Sequence, residues 1–268
     1  MHSLRFFSNA EVAERLSYPQ LIEALRIGLA KPCSAPLRSC HALPGQASLL
    51  QMPVWQAGEG IGVKLVTVFP GNGARGLPAV AAVFALFDGE DGRPLALLEA
   101  SELTARRTAC SSALAADYLA RDDARRLLVV AAEPWLRTWC GPTPACATIA
   151  TSTSGAAIRP RRGAWLKPGV HLDLVGAFLP SMRETDALAV ARARIVVDTR
   201  AGALEEAGDL LQAIAEGAIG HEAISTELRD LLGGAGRRGD PGEITLFKSV
   251  GYALEDLVAA RRVVDNAA

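Results

Sequence analysis

Over roughly the first thirty residues, apolar positions recur at helical spacing. Ser8-Asn9-Ala10-Glu11 has the S-x-x-E form of a capping box and predicts a helix start. Leu21, Ile22, Ala24, Leu25, Leu29 and Ala30 predict a second, amphipathic helix. From Ser48 the pattern turns β-rich. Leu49–Val54, Gly62–Val68 and Ala79–Phe87 are apolar runs separated by punctuation such as Pro70-Gly71-Asn72-Gly73. Gly89-Glu90-Asp91-Gly92 is a turn into Pro94–Leu98, so a hairpin closes an antiparallel unit. Three or more strands with helices on one face make an α+β domain.

An alanine-rich helix, Thr104–Leu119, hands over to a different pattern. Leu127–Val130 follows two arginines as a continuous apolar run, the mark of a strand buried on both faces. Val170–Ala177 and Arg194–Thr199 are further strand candidates, with helices expected near Met182–Val190 and Glu205–Ala215. Alternating β and α predicts a parallel sheet covered on both faces. The tail from Ile244 to Ala260 begins like a turn and continues as a helix.

Charge and cysteines narrow the function classes. The 28 Lys+Arg against 29 Asp+Glu give a net charge of −1, so the chain lacks the concentrated positive field that nucleic acid requires. Arg159–Arg162 and Arg237-Arg238 are short, Pro- or Gly-flanked clusters that read as solvated loops. Met1–Phe7 lacks the apolar core of a signal peptide, and Leu77–Leu86 is too short to span a bilayer. Five cysteines, odd in number and without CxxC spacing, read as free thiols in a reducing cytoplasm. Cys140 and Cys146, six apart with no histidine nearby, do not make a zinc set, and no metal is expected.

Five segments in order carry a resemblance: Gly62–Asn72 (GVKLVTVFPGN), Leu103–Ala109 (LTARRTA), His171–Ala177 (HLDLVGA), Glu206–Asp209 (EAGD) and Ile244–Gly251 (ITLFKSVG). Together, over about 200 of the 268 residues, they resemble the ornithine cyclodeaminase/mu-crystallin family. The resemblance implies an α/β protein: an N-terminal α+β substrate-binding and dimerisation domain over 1–111, completed by 243–268, and a Rossmann-like domain over 112–242. It implies a homodimer, an NAD or NADP cofactor and a small amino or imino acid substrate. By the same resemblance Arg38, Lys64 and Arg107 form the substrate pocket, and Thr108, Thr151, Ser152, Val175, Ser249 and Gly251 contact the cofactor. The chemistry agrees: a small amino or imino acid needs its carboxylate clamped, which arginine does best. Lys64, mid-strand between Val63 and Leu65, is in an expensive place for an ammonium unless it has a role.

Three departures qualify the resemblance. Where a G-x-G-x-x-G/A turn should follow the strand Leu127–Val130, the chain has Ala131-Ala132-Glu133-Pro134-Trp135-Leu136, without the glycines that let backbone approach a pyrophosphate. The interval from 131 to 169 is short for a complete half of a dinucleotide fold, Gly141–Gly155 contains no Asp or Glu to hold a ribose, and the segment reads as a deletion or a frame error. A reduced parallel sheet is therefore expected, with Leu127–Val130 beside Leu172–Val175. Finally, Val175-Gly176-Ala177-Phe178 has phenylalanine where cyclodeaminases of the family carry aspartate, and phenylalanine moves no proton. This favours an NAD(P)-dependent reductase of a small cyclic imino acid, of ketimine or Δ1-pyrroline-2-carboxylate type. The alternatives are an ornithine cyclodeaminase, which is a lyase, and a non-catalytic relative that has lost its cofactor site.

Overall fold

In the computed structural model, residues 4–126 and 163–267 are described, with the backbone of 128–129 and 149–150. Along the chain come β1 (Arg5–Phe7), α1 (Asn9–Arg15), α2 (Tyr18–Ala30), β2 (Ser39–Ala42), β3 (Ser48–Gln56), β4 (Gly60–Val68), β5 (Val80–Phe87), β6 (Pro94–Glu99) and α3 (Ala100–Leu119). Then follow β7 (Leu128–Val129), β8 (Ile149–Ala150), β9 (His171–Leu174), α4 (Ala187–Ala191), β10 (Arg194–Val197), α5 (Arg200–Glu206) and α6 (Gly208–Ala215). The last are β11 (Thr226–Glu227), α7 (Leu228–Leu232), β12 (Thr245–Lys248) and α8 (Ala253–Asp265). The chain divides into one unit of residues 1–110 with 253–268 and a second of 111–252.

The first unit is a six-stranded sheet of order β1-β6-β5-β4-β3-β2, antiparallel except for β1, which runs parallel to β6. The Ser8 capping box forms: its hydroxyl accepts from the Glu11 amide while the Glu11 carboxylate takes the Ser8 amide. Strand alternation puts Met52 and Val54 of β3, Gly62, Lys64 and Val66 of β4, and Phe84 and Leu86 of β5 on one buried face. Helix α8 packs across β3, β4 and β5 and against α2. Gly62 is required by this layer, because a Cβ there would lie 2.3 Å from the Phe84 ring. The opposite face stays apolar and open, with Trp55, Ile61 and Leu65 at 45%, 40% and 36% exposure.

The second unit holds a parallel sheet of order β11-β10-β12-β9 and the parallel pair β7-β8. Its core is Leu172, Leu174, Ile195, Val197 and Leu246 from the strands, with Val190, Ala203 and Leu210 from the helices. Four strands lie between residues 125 and 200 among the described residues. Here β7 pairs with Ile149–Ala150, a strand the sequence pattern did not single out, and not with β9. Residues 243–252, expected in the first domain, belong to the second unit, because β12 is an inner strand between β10 and β9.

Two expected helices are shorter than the apolar spacing predicts, the first because side chains capture backbone amides. Over 182–190 only Ala187–Ala191 is helical: Asp209 Oδ1 takes the amides of Glu184 (2.7 Å) and Thr185 (3.0 Å), and Asp186 caps the helix that follows. The helix expected over 205–215 breaks at Ala207 (φ −74°, ψ 87°). Gly208 there sits so close to the carbonyl oxygens of Met182 and Leu179 that a Cβ would lie 2.1 and 2.4 Å from them.

Candidate active site

In the first unit the buried sheet face brings Lys64 against the start of α8. Lys64 is 2% exposed, on the inner strand β4 and not on an open edge. Its Nζ lies 2.6 Å from Asp256 Oδ2. Arg107, from α3, is 5% exposed and donates from Nη1 to Glu255 Oε2 (2.8 Å) and from Nε to Asp256 Oδ1 (3.1 Å). Glu255 and Asp256 occupy the first turn of α8, where the helix dipole favours carboxylates. Burial lowers the pKa of Lys64 from the usual 10.5 to about 8; Asp256 opposes this, and Arg107 and Arg38 add to it.

Arg38, half-buried just before β2, thus adds its field to the same ammonium. Lys64 and Arg107 meet on Asp256, and Arg38 acts on Lys64 through its charge. Lys64 and Arg107 face the two carboxylates of Glu255 and Asp256. An ammonium and a guanidinium side by side are the groups that hold a carboxylate.

In the second unit, loops at the carboxyl ends of the parallel strands are tied down by buried acids. Asp198 Oδ2 accepts from Ser249 Oγ (3.0 Å) and from the amides of Val250 (2.8 Å) and Gly251 (2.7 Å). Glu184 Oε2 accepts from the amides of Gly176 (2.9 Å) and Ala177 (3.0 Å) and from Lys248 Nζ (3.0 Å). Lys248 also pairs with Asp209 at 3.2 Å. Burial opposes its charge, but the two carboxylates outweigh that and raise its pKa. Asp173 is 1% exposed, and burial, with Glu184 adding, pushes its carboxyl up to about 7 against the Ser112 hydroxyl and Lys248. Buried His171, hydrogen-bonded to Thr245, is pushed down to about 3 by burial and by Arg238 and Arg194.

Open α/β sheets take ligands beyond the carboxyl ends of their strands, where Val175 and Ser249–Gly251 lie. Gly251 (φ +98°) presents backbone without a side chain, which fits the flat ring of a nicotinamide. The phosphate end has no such fit among the described residues. The amides of Gly176, Ala177, Val250 and Gly251 are all taken by Glu184 or Asp198, and the Ser249 hydroxyl is bound to Asp198. Thr108 donates its hydroxyl to the Thr104 carbonyl within α3. Thr151, Ser152 and the turn at Ala131–Leu136 lie outside the described residues.

The family model for the ornithine cyclodeaminase/mu-crystallin family matches residues 6–133 and 145–268. The chain belongs to that family. The unmatched interval falls inside the segment that the sequence marks as shortened. Among relatives of this family member, the Delta(1)-pyrroline-2-carboxylate reductase of Paracoccus denitrificans is 35% identical over 300 residues, covering 96% of this chain and 95% of that protein. That alignment runs over more positions than this chain has residues, so the relative carries segments the chain lacks. The structure of Thermococcus litoralis Delta(1)-pyrroline-2-carboxylate reductase in complex with NADH and L-proline superposes with a TM-score of 0.89 at 28% identity, over 98% of this chain and 97% of that one. An archaeal alanine dehydrogenase dimer with bound NAD shares the fold, with a TM-score of 0.88 at 24% identity over 98% and 96% of the two chains.

Sequence reasoning located the cations of this family member and missed their carboxylates. Glu255 and Asp256 look like ordinary first-turn acids until α8 is placed on the sheet. Glu184 and Asp198 carry no local signal. Lys248 did carry one, a lysine inside the apolar run Thr245-Leu246-Phe247-Lys248, the same signal that drew attention to Lys64.

Proposed function

We propose that the chain is an NAD(P)-dependent reductase of a small cyclic imino acid, with Δ1-pyrroline-2-carboxylate, named in its relatives, as the first substrate to test. The observation that carries this reading is the buried Lys64–Arg107–Asp256 cluster, which sets an ammonium and a guanidinium side by side on one carboxylate. Arg107 and Arg38 hold the substrate carboxylate by charge-assisted hydrogen bonds. Lys64, with its pKa brought down to about 8, holds a proton near neutrality and releases it readily to an imine nitrogen. A nicotinamide, when bound, supplies the hydride. Val175, Ser249 and Gly251 are proposed as cofactor contacts through rigid backbone, with Thr108, Thr151 and Ser152 as further family positions.

The test is the loss of NADH or NADPH absorbance with Δ1-pyrroline-2-carboxylate, and turnover abolished in Arg107→Ala. A purified, folded protein that turns over neither cofactor with this or the six-membered ring homologue overturns the reading. Ala131-Ala132-Glu133-Pro134 favours a second one, a relative that binds the amino acid without turnover. Under it L-proline raises the melting temperature while NADH and NADPH do not.

Two further parts of the proposal concern assembly and place. The open face carrying Trp55, Ile61 and Leu65 supports a homodimer formed through the N-terminal sheet, since a soluble monomer rarely exposes so contiguous an apolar patch. A monodisperse monomer in sedimentation at micromolar concentration overturns that. Cys40 and Cys110 are free thiols, which supports a cytoplasmic site of action. Among the described residues, no helix is long and apolar enough to cross a membrane.

A further inference from the structure

The chain has only four lysines, and two of them, Lys64 and Lys248, are fully buried. Their surroundings differ in one respect. Lys248 faces two carboxylates, Glu184 and Asp209, and is held charged. Lys64 faces one carboxylate, Asp256, and the like charges of Arg107 and Arg38. A single group therefore stands between Lys64 and loss of its proton. That group also sets direction: one oxygen of Asp256 is 2.6 Å from Lys64 Nζ and the other 3.1 Å from Arg107 Nε, so one carboxylate fixes both cationic heads.

We propose that Asp256 is the positioning residue that keeps the proton on Lys64 and aligns Lys64 with Arg107 for the substrate. The inference deepens the reductase reading and rests on it for the reacting step. There the hydride goes to the imine carbon, the C=N π pair moves to nitrogen, and nitrogen forms its new N–H bond as an Nζ–H bond of Lys64 breaks. Lys64 is left as a neutral amine beside Asp256 and recovers its proton from solvent. The charged groups facing Lys64 are Asp256 of α8, Arg107 of α3 and Arg38 of the loop before β2; Glu255 acts one step removed, on Arg107.

The experiment is a pH titration of ¹³Cε-lysine-labelled protein by NMR, in which four lysine signals are readily assigned by substitution. In the wild type, Lys64 should titrate near pH 8 and Lys248 well above it. In Asp256→Asn the Lys64 midpoint should fall by about one pH unit or more, the scale of a lost neighbouring charge. In Glu255→Gln it should move less, because Glu255 meets Arg107 instead. An unmoved Lys248 signal reports that the variant is folded. If Asp256→Asn does not fold, ¹³C-aspartate labelling of the wild type replaces it: one carboxyl signal, assigned to Asp256, should step at the pH where Lys64 titrates. A Lys64 midpoint that stays put in folded Asp256→Asn, or an Asp256 signal blind to Lys64, overturns the inference. Neither readout needs turnover. A protein that lacks reductase activity but shows the shift refutes the reductase and keeps Asp256; an active enzyme without the shift does the reverse. In an active enzyme, Asp256→Asn should also move the alkaline limb of the kcat/KM profile to lower pH.

Discussion

Replacing Asp173 by asparagine should destabilise the protein in acid and stabilise it in weak alkali. The side chain is 1% exposed, at the third residue of β9, and burial raises its pKa from the usual 3.8 to about 7. Between those values the folded protein binds a proton that the unfolded chain does not, so stability falls as pH rises from about 4 to 7. A displacement of about three pH units is worth roughly 4 kcal/mol at most. Asparagine removes the ionisation and keeps the shape. It also buries an amide whose donors need partners, at a cost of about 1–2 kcal/mol.

The two terms reverse order with pH. At pH 4 the wild-type carboxyl is neutral, so Asp173→Asn should be less stable by about 1–2 kcal/mol. At pH 8 the wild type carries the buried charge, and the variant should be more stable by about 2 kcal/mol, or roughly 4–8 °C in Tm for a chain of this size. His171, lowered to about 3, makes both proteins lose stability as pH falls from 6.5 toward 3, and so cancels in the difference. The assay is thermal unfolding of the two proteins from pH 4 to 8. A Tm difference constant across that range, or one more negative at pH 8 than at pH 4, would show that Asp173 does not ionise in the folded state as argued.

Lys248→Met leaves Glu184 and Asp209 buried without their cation and should cost about 3–5 kcal/mol, read as a lower urea midpoint with unchanged m-value. Gly62→Ala drives a methyl into the Phe84 ring and should cost about 1–3 kcal/mol in the same assay. Leu65→Asp, on the open sheet face, should convert a dimer to monomer in sedimentation while leaving the folded unit's Tm within a few degrees.

The legible parts of the fold were those where one local pattern decides the outcome. The capping box at Ser8, the β runs of the first unit and the buried runs at Leu172–Leu174 and Ile195–Val197 all formed as their periodicity indicates. What failed depended on partners distant in sequence. Apolar spacing over Met182–Val190 allows a helix, but Asp209, about 25 residues on, takes two of the amides that helix would use. Strand β2 is exposed along its length and so leaves no alternation to detect; it exists because Ser39–Ala42 pairs with Ser48–Gln51.

The candidate site divides along the same line. Lys64 was visible because a charge in an apolar strand is conspicuous by itself, and Arg107 because it stands in the T-A-R-R-T-A segment that carries the family resemblance. Their chemistry was not visible, because an ammonium's proton affinity is set by what surrounds it. Lys64 and Lys248 occupy similar apolar strands, yet the pKa of one is lowered and that of the other raised. The difference is the ratio of carboxylates to cations within reach, supplied by α8 and α3 in one case and by Glu184 and Asp209 in the other. A lysine poised near neutrality serves proton transfer, whereas one locked in its charged form braces the fold. Sequence can nominate a buried lysine; only the packed neighbours decide which of the two it becomes.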